Sequence, residues 1–317
     1  ARIAALIVPF KRELYARLHS GKKVDGIEFR RIAQKTVAGL IANRDLLMAS
    51  GQSGTDSNYL AAHSVSVAAT AINIAAALGF GMEQVMSLAY GALLHDVGML
   101  RIPPALIVKP GKLTPVEFRE ITRHPGYGID LLSKVHGIPP DAPYIIYRSH
   151  ERSDGTGYPK QKSDVVIHTF AKIVAVADIY NSVCSERPYR IQRTPYEAMD
   201  QLLHMCGKRQ LDPQIVKAFL RCNSIFPLGS WVELSNKQKA RVVAPNPEDY
   251  MRPIVSVIYD ASGARLAKPQ RVSLLNHKEL SVIKAIDGKN FPEIMGLDGF
   301  YGRKKPWARV CQQRCGS

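Results

Sequence analysis

His95 and Asp96 stand side by side at the end of an apolar, helix-length stretch, and four further potential metal ligands fall at comparable places. His63 lies on the preceding apolar segment, His124 on or just after a later one, His150 before a Gly-rich loop, and Asp178 at the close of an apolar run. A His-Asp pair alone is a weak signal, because a buried imidazole hydrogen-bonded to a carboxylate is a common structural feature. Six such residues at the ends of apolar segments are a stronger one. Imidazole nitrogen with carboxylate oxygen suits iron, manganese, zinc or nickel. The chain has no paired cysteine clusters of the structural zinc type. A carboxylate such as Asp96 can bridge two cations through its two oxygens. Divalent cations acidify water for attack on a phosphoester and offset phosphoryl charge, and nearby arginines add to that stabilisation.

The elements that must position these residues are mostly helices. Residues 1–55 read as a helical lead, and the polar loop 51–58 offers Asp56 or Ser57 as a helix cap. A helix is expected over about 59–78, stopping at Gly79, and another over 82–96, ended by Gly98 and Pro103-Pro104. Thr114, Pro115 and Glu117 form a capping-box start for a third. Further helices are expected over about 126–135, 139–151, 194–205 and 212–222. The run Phe170–Ala177 fits a buried strand by apolarity, but its alanines and neighbours favour a buried helix. After Pro227 the runs WVEL, ARVV and RPIVSVIY are short and β-rich. The expected class is mainly α with a small β-rich segment: a 1–55 lead, a 56–227 catalytic-type domain, a 228–290 appendage and a 291–317 basic irregular tail. Ends of apolar helices converging at one end of a bundle are a common setting for metal sites.

The order of motifs resembles the HD-GYP family, the HD-superfamily phosphodiesterases that hydrolyse cyclic di-GMP. It is carried by His63-Ser, HDVGM at 95–99, KPGKLT at 109–114, His124-Pro-x-x-Gly, HER-x-DGTGYP at 150–159, VAD at 176–178 and RPYR at 187–190. The likeness covers roughly residues 55–225 and implies an HD-type helical bundle. It implies one or two divalent ions, iron or manganese, held by His63, His95, Asp96, His124, His150 and Asp178, with Asp96 as bridge and His95-Asp96 at the catalytic centre. Tyr158 would stack or hydrogen-bond near a guanine. Arg187 and Arg190 would hold phosphate or base, with Lys109 and Lys112 as lesser contributors. Products would be linear pGpG, GMP or both. Glu151 is expected to orient a ligand histidine from behind.

Four positions depart from the family pattern. Ser149 replaces the first of two histidines, leaving His150 alone, and a hydroxyl is a poor ligand. Met99 stands where the family has a lysine, Asn181 where it has an aspartate, and Tyr59 where members with a third metal carry a glutamate. These changes imply reduced hydrolysis and no third metal. They also define the rival reading, a degenerate domain that binds cyclic di-GMP as a sensor or protein-interaction module in signalling.

The chain has 317 residues, 46% of them hydrophobic and 22% charged, an ordinary globular composition. Its net charge of +16 points to anionic partners, nucleotides among them. The cysteines Cys184, Cys206, Cys222, Cys311 and Cys315 are odd in number, so a disulfide framework is not expected and a cytoplasmic, reducing location is. No transmembrane stretch or signal-peptide pattern is evident. The tail's Arg303, Lys304, Lys305, Trp307 and Arg309 read as solvated rather than as a nucleic-acid site. No motif assigns an oligomeric state.

Overall fold

The computed structural model describes residues 59–133, 135–136, 138–184, 195–223, 225–226, 228–246 and 248–286, with scattered positions between 20 and 39. The helical lead and the tail expected from sequence lie largely outside these residues, as do Arg187 and Arg190. The helices are α1 (Tyr59–Ala77), α2 (Met82–Leu94), α3 (Pro104–Ile107), α4 (Pro115–Ile121), α5 (His124–Leu132), α6 (Ala142–Arg148), α7 (Thr169–Cys184), α8 (Pro195–Gly207) and α9 (Pro213–Asn223). No helix of the described residues is long and apolar enough to cross a membrane.

The bundle is organised around α1 and α7, both buried on nearly every side. Val67, Ala68, Ala71, Ile74 and Ala75 of α1 and Ala171, Ile173, Val174, Val176 and Ala177 of α7 are fully buried. Their alanines let neighbouring backbones approach, so α1 packs against α2, α7 and α9 together. Burial on all faces explains why the 170–177 run reads ambiguously, since periodicity disappears when no face meets water. At 16 residues α7 is far longer than a strand. Gly79 ends α1 with φ of 79°, and Phe80 N–H donates back to Ala75 O.

The strands are β1 (Val24–Asp25), β2 (Val135–His136), β3 (Trp231–Leu234), β4 (Lys239–Ala244), β5 (Ile254–Tyr259), β6 (Arg265–Ser273) and β7 (Val282–Ile286). β1 and β2 form a short parallel pair. The other five make one sheet in the order β6-β5-β4-β3-β7, with β3 to β6 paired antiparallel in sequence order. Val232, Leu234, Ala240, Val242, Val255 and Val257 fill its core. Tyr196 stacks on Phe226 at 5.5 Å, and Ile225 N–H donates to Tyr250 O, fastening the start of the β segment to the bundle.

Candidate metal centre

Each of the six residues sits where a helix begins, ends or passes another. His63 is in the second turn of α1, and His95 is the C-cap of α2. Asp96 follows with φ −103° and ψ 15°, opening a 3-10 turn over Val97–Arg101. His124 is the first residue of α5, His150 lies just past α6, and Asp178 is within α7. Two glycines make this convergence sterically possible. A Cβ on Gly98 would overlap the His124 carbonyl oxygen and stand 2.6 Å from Gly128 N. A Cβ on Gly157 would stand 2.5 Å from both Glu151 Cα and His150 O. Gly98 thus seats the start of α5 against Asp96, and Gly157 lays the Gly-Tyr-Pro loop on the backbone of His150.

Two triads result. His63, His95 and Asp178 bring one ligand atom each within 4.8 Å of one another, and so do Asp96, His124 and His150. Asp96 lies between them. Its Oδ2 is 3.4 Å from His95 Nε2 and 4.0 Å from His63 Nε2. Its Oδ1 is 3.3 Å from His150 Nε2 and 3.4 Å from His124 Nε2. His63 Nε2 is 3.0 Å from Asp178 Oδ1, and His150 Nδ1 is 3.7 Å from Asp178 Oδ2. The Nδ1–H of His95 donates to Ala92 O at 2.9 Å and that of His124 to Ile121 O at 2.8 Å. That tautomer leaves each Nε2 lone pair facing the centre.

The donor set fits divalent cations. His95 Nε2 is buried and makes no hydrogen bond, and the Nε2 atoms of His124 and His150 face each other at 3.0 Å. A cation between such lone pairs satisfies groups that are otherwise costly to bury. The protonation states suit it. Burial raises the Asp96 carboxyl, but His95 and the ring nitrogens of His124 and His150 close around it hold it well below the usual range. Asp178 is depressed likewise, its burial outweighed by the His63 hydrogen bond. Burial lowers His63, and lowers His150 to about 4 against its hydrogen bond to Asp96. His95 goes the other way, since the Asp96 charge overcomes its burial. Ionised carboxylates and mostly neutral imidazoles are the forms that ligate.

The surroundings alter several expectations. Glu151 is buried and does not reach back to a histidine among its hydrogen bonds. Its carboxylate accepts from Lys160 N at 2.8 Å and Lys162 N at 3.0 Å, so it pins the loop that carries Tyr158. Tyr158 stacks on His150 with centroids 5.0 Å apart and planes at 7°. Lys109 places its ammonium 2.7 Å from both Glu117 oxygens; it organises α4 rather than offering free charge to a substrate. That bond, ahead of those from Thr114, lowers Glu117 to about 2. Lys112 is exposed. Ser149 Oγ is fully buried without a hydrogen-bond partner. Asn181 is a tie between helices, its amide donating to Ala177 O at 2.8 Å, Thr70 Oγ1 at 3.0 Å and Ser66 O at 3.4 Å. Met99 is half-buried on the 3-10 turn, and the side chain of Tyr59 lies outside the described residues.

Sequence reasoning missed Lys172. Its ammonium is 2.6 Å from Asp164 Oδ1 and 3.4 Å from Asp212 Oδ2. It therefore clamps the 153–168 loop to α7 and to the cap of α9. A lysine directly before the apolar run Ile173–Ala177 was the available signal.

Residues 35–215 match the family model described as HD domain, and residues 231–293 match a KOW domain associated with HD domain. A cyclic di-GMP phosphodiesterase of Pseudomonas aeruginosa is 29% identical over 86% of this chain and 64% of its own length. The cyclic di-GMP phosphodiesterase response regulator RpfG of Xanthomonas campestris pv. campestris is 40% identical over 47% of this chain and 39% of its own. The chain thus spans less than two thirds of either relative. Among solved structures, an HDG"Y"P protein from Bdellovibrio bacteriovorus aligns with a TM-score of 0.50 at 23% identity, covering 60% of each chain, which supports the shared fold. With the His-Asp centre and the Gly-Tyr-Pro loop in place, this chain belongs to the HD domain family.

Proposed function

We propose that the chain is a metal-dependent phosphodiesterase that hydrolyses cyclic di-GMP in bacterial second-messenger signalling. The observation that carries this reading is the Asp96 carboxylate, with one oxygen turned to each of two triads. His63, His95 and Asp178 would hold one cation and His124 and His150 the other, with Asp96 placed to serve either; iron or manganese would suit this mixed imidazole–carboxylate set. When bound, such cations supply Lewis acidity toward phosphoryl oxygens and make water acidic enough to attack phosphorus near neutral pH. Water attacks in line with the 3′ oxygen, the P–O3′ bond breaks, and the sugar oxygen leaves with a proton. The linear pGpG is the first product, and GMP follows if the second bond is cut. Tyr158, held by Glu151 and by the stack on His150, borders the substrate. Arg187, Arg190 and Lys112 are assigned to its phosphates and bases.

Ser149 favours a second reading. With a hydroxyl beside His150, the second triad has two imidazoles where the family has three, so weak filling of that position would leave a cyclic di-GMP sensor that signals to protein partners. Purification without oxygen, metal analysis and cyclic di-GMP turnover with iron or manganese separate the two. Product formation supports the enzyme; tight binding with no product under either metal supports the sensor.

A further inference from the structure

Phe118, which no motif assigned, meets the Gly-Tyr-Pro loop beside the candidate metal centre. His150 carries Tyr158 in a parallel stack, Tyr158 lies edge-on to His124 at 6.0 Å, and Phe118 stands at 85° to Tyr158 with centroids 6.2 Å apart. Phe118 is 51% exposed, an unusual position for a phenylalanine so near buried ligands. Its helix is held firmly. Thr114 and Glu117 close a capping box at its start, and Lys109 grips Glu117 from outside. At its other end, Ile121 O accepts from the ligand His124, so the platform and the metal centre are tied through three residues of chain.

From this geometry we infer that Phe118 is a base-stacking residue: with Tyr158 it forms an aromatic corner that takes one purine ring of a cyclic dinucleotide whose phosphate lies at the metals. This rests on the phosphodiesterase reading and adds a substrate contact to it. The chemistry follows from the surfaces. A purine has a flat π-face and a polarised edge, and two rings near 90° meet a face and an edge together. Stacking on an aromatic side chain tolerates any base and is worth about 1–3 kcal/mol per base. Because the helix that carries Phe118 is capped and its ring already rests against Tyr158, a base docking there gives up less entropy than it would on an unsupported side chain.

The test uses the full chain loaded with manganese, reading kcat and KM for cyclic di-GMP together with metal per chain, and Kd by calorimetry. Phe118→Ala should raise KM and Kd between about fivefold and 150-fold, the range equivalent to that stacking energy. Metal content should stay at the unsubstituted level and kcat within about threefold. Phe118→Trp, which restores a larger π-face, should return KM to within about threefold of the unsubstituted chain. An unchanged KM and Kd in Phe118→Ala, with the parent chain active or binding, overturns the stacking role while leaving the phosphodiesterase reading intact. A rise in KM that Phe118→Trp fails to repair also overturns it. A parent chain that neither binds nor cleaves the dinucleotide removes both.

Discussion

Gly98→Ala tests how the second triad is built. The added Cβ would overlap the His124 carbonyl oxygen and stand 2.6 Å from Gly128 N and 2.8 Å from the His124 carbonyl carbon. Ordinary carbon contacts are about 3.5 Å, so the start of α5 must retreat by more than about 1 Å, most of all at the His124 carbonyl oxygen. These neighbours are backbone atoms and no rotamer change relieves them. The cost falls at the upper end of overpacking, about 3 kcal/mol. The same retreat, directed away from Asp96, opens the 3.4 Å between His124 Nε2 and Asp96 Oδ1 to about 4.4 Å or more. A cation with ligands at about 2.1 Å spans at most about 4.2 Å between donor atoms. His124 therefore drops out, and the second position loses its cation while His63, His95 and Asp178 keep theirs. Metal per chain by mass spectrometry, with circular dichroism and Tm, reads this out. The expected result is a helical protein of lower Tm with about one cation fewer, matched by His124→Ala, which removes the ligand without the clash. Gly98→Ala with full metal content and an unshifted Tm would refute the reasoning.

Three further outcomes follow from the same geometry. Asn181→Asp puts a carboxylate against the carbonyls of Ala177 and Ser66 in a nearly buried site, so stability should fall by about 2 kcal/mol at pH 7 and recover partly in acid; equal urea midpoints at both pH values would contradict this. Ser149→Ala removes a buried hydroxyl that has no partner and should be neutral or stabilising by about 1 kcal/mol, whereas Ser149→His should raise metal content at the second position; a destabilising Ser149→Ala would mean the hydroxyl is satisfied. In metal-free protein, burial lowers His150 to about 4 in the folded state against about 6.5 for an exposed imidazole, and lowers His63 too, so the unfolded chain binds more protons between these values. Stability should then rise with pH across that window, on the order of 3 kcal/mol from His150 alone, opposed by His95, whose raised value favours the acid side. Thermal melts in chelator from pH 7 to 4.5 should show a falling Tm, and a rising one would contradict the assignment.

The helices were legible because their punctuation is local. Gly79, the Thr114–Glu117 box and the proline-led starts of α8 and α9 act within a few residues. Strand β6 was not legible, because RLAKPQRVS sits at the sheet edge, largely exposed, and carries no alternation. The six candidate ligand positions were readable as residue types, whereas the roles around them were not. Glu151 follows His150 directly, yet its carboxylate points to Lys160 and Lys162, a choice made by loop conformation. Asn181 reads as a lost aspartate until Thr70 and Ser66, more than a hundred residues away, are found against it. Phe118 and Tyr158 are likewise far apart in sequence, and their meeting depends on the close seat of α5 that Gly98 permits.

The central claim is that one carboxylate, Asp96, serves two cations. Crystals grown with manganese and measured at the manganese absorption edge test it directly. Two anomalous peaks are predicted, one among His63, His95 and Asp178 and one beside His124 and His150, each in contact with a different oxygen of Asp96. A single peak, or two peaks with Asp96 touching only one, would contradict the account.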